Sequence, residues 1–283
     1  MTSGTLGIIL CPMVDDNLMH SLVNDPEPKR VVVVGNGNEG SMVSKLTRAS
    51  IPFETASWEE VLSGSIGLDP DMYNLVLHMI DLGLHARPQE LKEVVEGLTG
   101  EMQGFADAVG FYLGTCGNYE WNIPAWSDGM GYKPSAMFCD HNGCLCHDCV
   151  GINIGGGPRY NELQKAYKGC MYIFPAMAVN HDEFMEADAA DAIATQAVLT
   201  DEMREALGIE PGRDGYMRWL LSLGGYEYIL KIDTGLGDRD EFEAGLQRIL
   251  EESRLKLKVA EEGWATLQPT DDLYAKCKSF LKR

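Results

Sequence analysis

Long hydrophobic runs are missing from this sequence: the longest apolar stretches, residues 31–34 and 108–113 with Gly110 inside it, fall far short of the roughly 18 residues that a bilayer-crossing helix requires. No spanning helix is expected. Basic residues are scarce too: 23 Lys and Arg face 43 Asp and Glu, a net charge of −20 at pH 7, so a polyanion meets a repulsive average field. Nucleic acid and anionic membranes are thereby excluded as expected partners. The first apolar run, residues 6–10, has no basic stretch before it and no small-residue cleavage site after it, and a cytoplasmic location is expected. There is no G-x-S-x-G elbow and no full P-loop lysine motif, so hydrolase and nucleoside-triphosphatase readings lack support.

What is present is an ordinary globular composition, 45% hydrophobic and 23% charged over 283 residues, which rules out disorder as the main state. Eight cysteines would suit a disulfide framework in a short secreted chain. This chain is long, and four of the eight crowd into residues 139–149. Thiols or thiolate ligands are the better reading.

Strand patterns alternate with helix patterns almost from end to end. That alternation predicts an α/β fold, Rossmann-like, with a mostly parallel open sheet, helices on both faces and a long irregular Cys-rich loop insertion between Gly117 and Cys149. Strands are expected at 6–10, 31–34, from Pro52 and Phe53, and at 74–80, 107–113, 150–154, 171–174 and 226–232. Helices are expected from Asp15 or Asp16, whose carboxylates would cap the first one, at 42–49, after Pro88, from Asn161, from Asn180, and at 238–263 and 271–282. A single domain, 1–283, is preferred, the alternative being a subdomain boundary near 208–214, where Gly208, Pro211 and Gly212 cluster.

Four constellations bear chemistry. Gly35, Gly37 and Gly40 fit G-x-G-x-x-G between a strand and a helix, and Glu54 follows about twenty residues on, the formal pattern of a dinucleotide-binding turn. Glu39 puts a carboxylate inside that turn and Pro52 interrupts the next strand, so a tight turn that binds nothing is preferred. The second is residues 139–149, where Cys139, Cys144, Cys146 and Cys149 lie among His141 and His147. Their density points to a soft metal, while their spacing matches neither a zinc ribbon nor a ferredoxin. Third, Cys11 and Cys116 each follow a strand, and parallel strands share the edge at which ligands bind. Cys149 reaches that edge only if its strand is antiparallel or the preceding loop folds back; His85 follows another strand there. Fourth, Gly155, Gly156 and Arg159 could offer amides and a guanidinium to an anion, with helix initiation at Pro158 the equal alternative. His20, His78 and His181 read as surface or cap histidines, and the 14 methionines as core filler.

Taken together, Cys11 after its strand, the Leu84-His85 to Pro88 pattern, Cys116-Gly117-Asn118, Asp148-Cys149, Arg159-Tyr160 and Ile232-Asp233-Thr234-Gly235 resemble a family of unknown function from archaea and anaerobic bacteria. Its members often accompany corrinoid-dependent methyltransferases. The resemblance covers nearly the whole chain and implies anaerobic one-carbon metabolism without an established reaction. It selects Cys11, His85, Cys116 and Cys149 as the site, whereas Cys139, Cys144 and Cys146 sit in a stretch longer here than in the family pattern. They are either a second site or further ligands to the first. The expectation is a metal-thiolate protein with an iron-sulfur cluster, zinc being the alternative, and with a corrinoid protein or methyltransferase subunit as its partner. An acidic surface suits a partner with a basic docking patch. The rivals are a dinucleotide-binding oxidoreductase and a non-catalytic subunit of a methyltransferase complex.

Overall fold

Six β-branched or apolar runs set the frame: β1 (Gly4–Leu10), β2 (Arg30–Val34), β3 (Glu54–Ala56), β4 (Tyr73–Met79), β5 (Ala108–Tyr112) and β6 (Ser135–Met137). In the computed structural model, which describes residues 1–118, 120–185 and 199–282, they pair in parallel in the order β3-β2-β4-β1-β5-β6. Every residue of β1, β4 and β5 is buried, Thr5, Asn74 and His78 among them, as in strands covered on both faces. The expected α/β architecture, an open parallel sheet with helices around it, is therefore found.

Two neighbours in this sheet matter most. The connection from β1 runs toward β2, and that from β5 runs the other way, toward β6. Such a divergence opens a crevice at the carboxyl edge, where α/β sheets bind ligands.

The helices of this part are α1 (Asp15–Asn24), α2 (Gly40–Arg48), α3 (Trp58–Leu62), α4 (Pro88–Met102), α5 (Ile123–Gly129), α6 (Cys149–Ile154) and the final helix Gln268–Ser279. The final helix is fastened beside β4 and the end of α1. Tyr274 Oη donates to Asp25 at 2.7 Å, Lys278 Nζ donates to both Asp25 oxygens at 2.8 Å, and Tyr73 Oη donates to Tyr274 at 3.1 Å.

The chain divides into two compact units, one of Met1–Gly157 with Thr266–Arg283 and one of Pro158–Ala265. The second has its own parallel sheet, β7 (Cys170–Ile173), β8 (Tyr228–Lys231) and β9 (Lys256–Val259), in that order. Its helices are α7 (Gly157–Ala166), α8 (Pro175–Val179), α9 (Asp201–Leu207), α10 (Gly212–Leu223) and α11 (Arg239–Ser253), which makes the final helix α12. Residues 208–214, the alternative position for a boundary, lie inside the second unit, spanning the turn after α9 and the start of α10.

Local expectations differ from the structure in four places. Residues 150–154, expected as a strand, are helical because Asp148 accepts from Gly151 N at 2.7 Å as an N-cap and Gly155 ends the helix at φ +90°. The helix expected over 238–263 stops at Ser253, where Arg254 turns left-handed at φ +58°, and β9 follows. The stretch expected to be irregular contains α5 and β6. Asp15 and Asp16 do not cap α1, whose N-cap is Val14 without a side-chain bond; their partners lie in α2. The helix expected from Asn180 is described through residue 185, and residues 186–198 lie outside the described residues.

Candidate metal centre

Cys11 is the first residue past β1. Its N–H donates to Tyr112 O at 2.9 Å, extending the ladder to β5 by one residue, and its side chain is 9% exposed. Cys116 lies four residues past β5 at φ +40°, a left-handed conformation costing a non-glycine residue on the order of 1 kcal/mol and one that clusters at functional turns. Asn118 Nδ2 ties this turn to α4 through Pro88 O at 2.7 Å.

The loop before α6 folds back onto that turn. Cys116 N donates to His147 O at 3.1 Å, and a Cβ on Gly114 would stand 2.6 Å from the same oxygen and 2.9 Å from Asp148 Cα. Only glycine admits so close an approach. Cys149, the first residue of α6, thereby arrives at the edge shared by β1 and β5. Its helix is anchored from below: Asn153 Nδ2 donates to Cys149 O at 2.9 Å, and Asn17 Nδ2 donates to Asn153 Oδ1 at 3.2 Å and to Thr270 Oγ1 at 2.8 Å.

Burial raises the Cys149 thiol well above its ordinary range, reinforced by Cys116, Asp148 and Cys11 beside it. Burial and Asp148 push Cys116 up to about 11. The three thiols from separate parts of the chain are thus electrostatic neighbours. No other group of three metal-type side chains among the described residues has its ligand atoms as closely gathered as His181, Asp182 and Glu252 of the second unit, which lie within 4.8 Å of one another. His85 is half-buried in the turn Leu82–Ala86 that follows β4 at the same edge.

Cys139, Cys144 and Cys146 form a second thiol group on a tight hairpin. Cys146 N donates to Phe138 O at 2.9 Å, and Asp140 N donates to Cys144 O at 2.8 Å. Asp140 Oδ1 accepts from Asn142 N at 2.8 Å and Cys144 N at 2.9 Å. Cys144 is exposed, Cys139 half-buried and Cys146 buried. Burial, followed by Cys139, Asp140 and Asp148, pushes the Cys146 thiol to about 12. Asp148 therefore acts on both thiol groups. His147, next to it, has Nδ1 bonded to Thr115 Oγ1 at 3.1 Å, the kind of contact that orients an imidazole whose other nitrogen takes a metal.

A buried charge cluster escaped the sequence reading. Asp15 and Asp16, just beyond the Cys11 turn, share Lys45 of α2 at 2.5 and 2.6 Å, and Ser41 Oγ donates to Asp15 at 2.5 Å. Asp15 is fully buried, and burial raises its carboxyl despite Lys45. The signal was the Asp pair itself, which local rules assign to helix capping.

The glycine turns are closed. Glu39 Oε2 accepts from Asn36 N at 3.0 Å and Gly37 N at 2.6 Å, so the amides that a pyrophosphate would need already hold a carboxylate. Glu54 sits level with Val32, at the far end of the strand from Gly35, and pairs with Arg30. Gly155 N and Gly156 N both donate to Gly151 O, at 3.0 and 2.8 Å, ending α6. Arg159 donates to the carbonyls of Gly263 and Trp264 and lies over the Trp264 ring at 5.5 Å.

Fold and site together define an α/β protein with an open parallel sheet that gathers thiols at its carboxyl edge. A family model described as "Protein of unknown function (DUF1638)" matches residues 79–270, and the chain belongs to that family. The matched span holds His85, Cys116, the hairpin and Cys149, while Cys11 precedes it. No curated protein and no solved structure matches the chain.

Proposed function

We propose that this protein is a metal-thiolate protein holding an iron-sulfur cluster at the edge formed by Cys11, Cys116 and Cys149, and that it serves anaerobic one-carbon metabolism beside a corrinoid-dependent or methylamine-type methyltransferase. The observation that carries the reading is the convergence of those three thiols from three chain segments. Burial, Cys116, Asp148 and Cys11 all raise the cost of ionising Cys149, and burial with Asp148 does the same to Cys116. A bound cation reverses that balance by replacing the protons. Thiols drawn from three separate segments suit a cluster, whose thiolates sit on different irons. A cluster bound there would supply one-electron transfer.

The methyltransferase association rests on the short motifs of the resemblance, and the net charge of −20 suits a partner with a basic docking patch. Glu39 weighs against the dinucleotide rival. The test is iron, zinc and sulfide analysis of anaerobically purified protein together with its absorption spectrum. Iron with sulfide and broad visible absorption supports the cluster. Stoichiometric zinc without colour replaces the cluster with zinc, and metal-free protein or resolved flavin bands overturns the reading. Co-purification of a corrinoid protein from an anaerobic extract tests the partner.

A further inference from the structure

The second unit carries a donor set of another kind, unrelated to the thiol reading. His181, Asp182 and Glu252 each offer a ligand atom, and the three atoms lie within 4.8 Å of one another. The chain assembles them through a close helix contact. A Cβ on Gly245 would stand 2.4 Å from Ala178 O, so glycine alone lets α11 lie against α8. That contact brings Glu252, in the last turn of α11, beside His181 and Asp182, which follow α8 directly.

His181 is only 8% exposed, Glu252 is half-buried and Asp182 is exposed, so the donors run from the wall of the site to its mouth. They bound a cavity of about 150 Å³, which Asp214, Met171 and Met217 also line. That volume exceeds the roughly 30 Å³ of one water molecule and admits an ion with part of its hydration shell. Acidic side chains often sit together on a surface with no ligand. Here a buried imidazole and two carboxylates lie within 4.8 Å of one another.

We propose that His181, Asp182 and Glu252 form a site for one divalent first-row cation, with water completing its coordination. Nitrogen and oxygen ligands lie about 2.0–2.2 Å from such an ion, and the three ligand atoms already lie within 4.8 Å of one another. One imidazole with carboxylates suits Mn²⁺, Fe²⁺ or Zn²⁺ and not a thiophilic ion. Arg248 Nη2 lies 3.6 Å from Asp182 Oδ2, with both side chains about half exposed; such an ion pair contributes little, and a dication displaces it.

Manganese is the probe, because it is a poor partner for thiolates and so separates this site from the cysteines. The full-length protein is titrated with Mn²⁺ and the free ion followed by electron paramagnetic resonance. One saturable site below millimolar Mn²⁺ is expected. Affinity should fall by about tenfold or more in Asp182→Asn and Glu252→Gln, be lost in His181→Ala, and be unchanged in Cys116→Ser. Asp182 is exposed, so that variant decides the matter even if His181→Ala fails to fold. Absence of saturable binding to the unmodified protein, equal affinity in Asp182→Asn and Glu252→Gln, or loss in Cys116→Ser overturns the proposal.

Discussion

The two thiol groups of the first unit are built in opposite ways. Cys139, Cys144 and Cys146 are neighbours in sequence, held by a hairpin whose backbone bonds and Asp140 determine its shape. Cys11, Cys116 and Cys149 are remote in sequence and meet because β1 and β5 are adjacent and a loop folds back over Gly114. The denser group has local structure of its own, with backbone bonds and Asp140 holding the hairpin. The sparser group brings one buried and two half-buried thiols together with a carboxylate, an arrangement that a cation stabilises. Density of metal-type residues and convergence of them are different signals, and in this chain they point to different places.

Metal content should separate the groups most sharply. After anaerobic reconstitution, Cys149→Ser and Cys116→Ser are expected to lose most bound iron, whereas Cys144→Ser retains it. Loss confined to hairpin variants would reverse the comparison.

Next in size is the charge cluster behind Cys11. Lys45→Met leaves two buried carboxylates without their cation and should cost about 3 kcal/mol in urea unfolding. Because Asp15 follows directly on the Cys11 turn, iron retention should fall with it, and unchanged stability would show that the cluster is not a buried ion pair in solution.

Paired glycine substitutions come third. Gly114→Ala places a methyl group 2.6 Å from His147 O and should cost about 2 kcal/mol together with metal, since it pushes the 147–149 segment off β5. Gly143→Ala, at φ +79° with open space around it, should cost only about 1 kcal/mol and leave metal content alone. Equal effects on metal content would erase the distinction between edge and hairpin.

The smallest effect comes from a control away from both groups. Burial raises the Asp25 carboxyl, but hydrogen bonds from Lys278 and Tyr274 outweigh it and bring it from 3.8 to about 2. A carboxyl depressed in the folded state stabilises above its unfolded value and loses that contribution as pH falls from about 4 through about 2. Asp25→Asn should flatten the acid limb of a urea-midpoint profile in that window without changing metal content. A limb as steep as that of the unmodified protein would remove Asp25 from the account.

Much of this was legible in the residues. Runs such as 31–34, with turns at their ends, read as interior strands because a uniformly apolar, β-branched run has few other places to go. Strand ends locate the carboxyl edge of the sheet, and so the placement of Cys11 and Cys116 there was legible. The sequence alone therefore determined the open parallel sheet and two of its edge thiols, since periodicity and strand ends are properties of neighbours along the chain. Residues 150–154 were not legible, because a short run with Val150, Ile152 and Ile154 alternating reads as a strand and only the Asp148 cap and Gly155 make it helical. Nor could local rules tell that Glu39 fills its own glycine turn, that Lys45 claims Asp15 and Asp16 from capping, or that Gly245 seats α11 so that Glu252 meets His181. Those outcomes belong to the tertiary structure, because the partner of a buried polar group is whatever packing brings within about 3 Å of it, and packing joins residues that the sequence holds far apart.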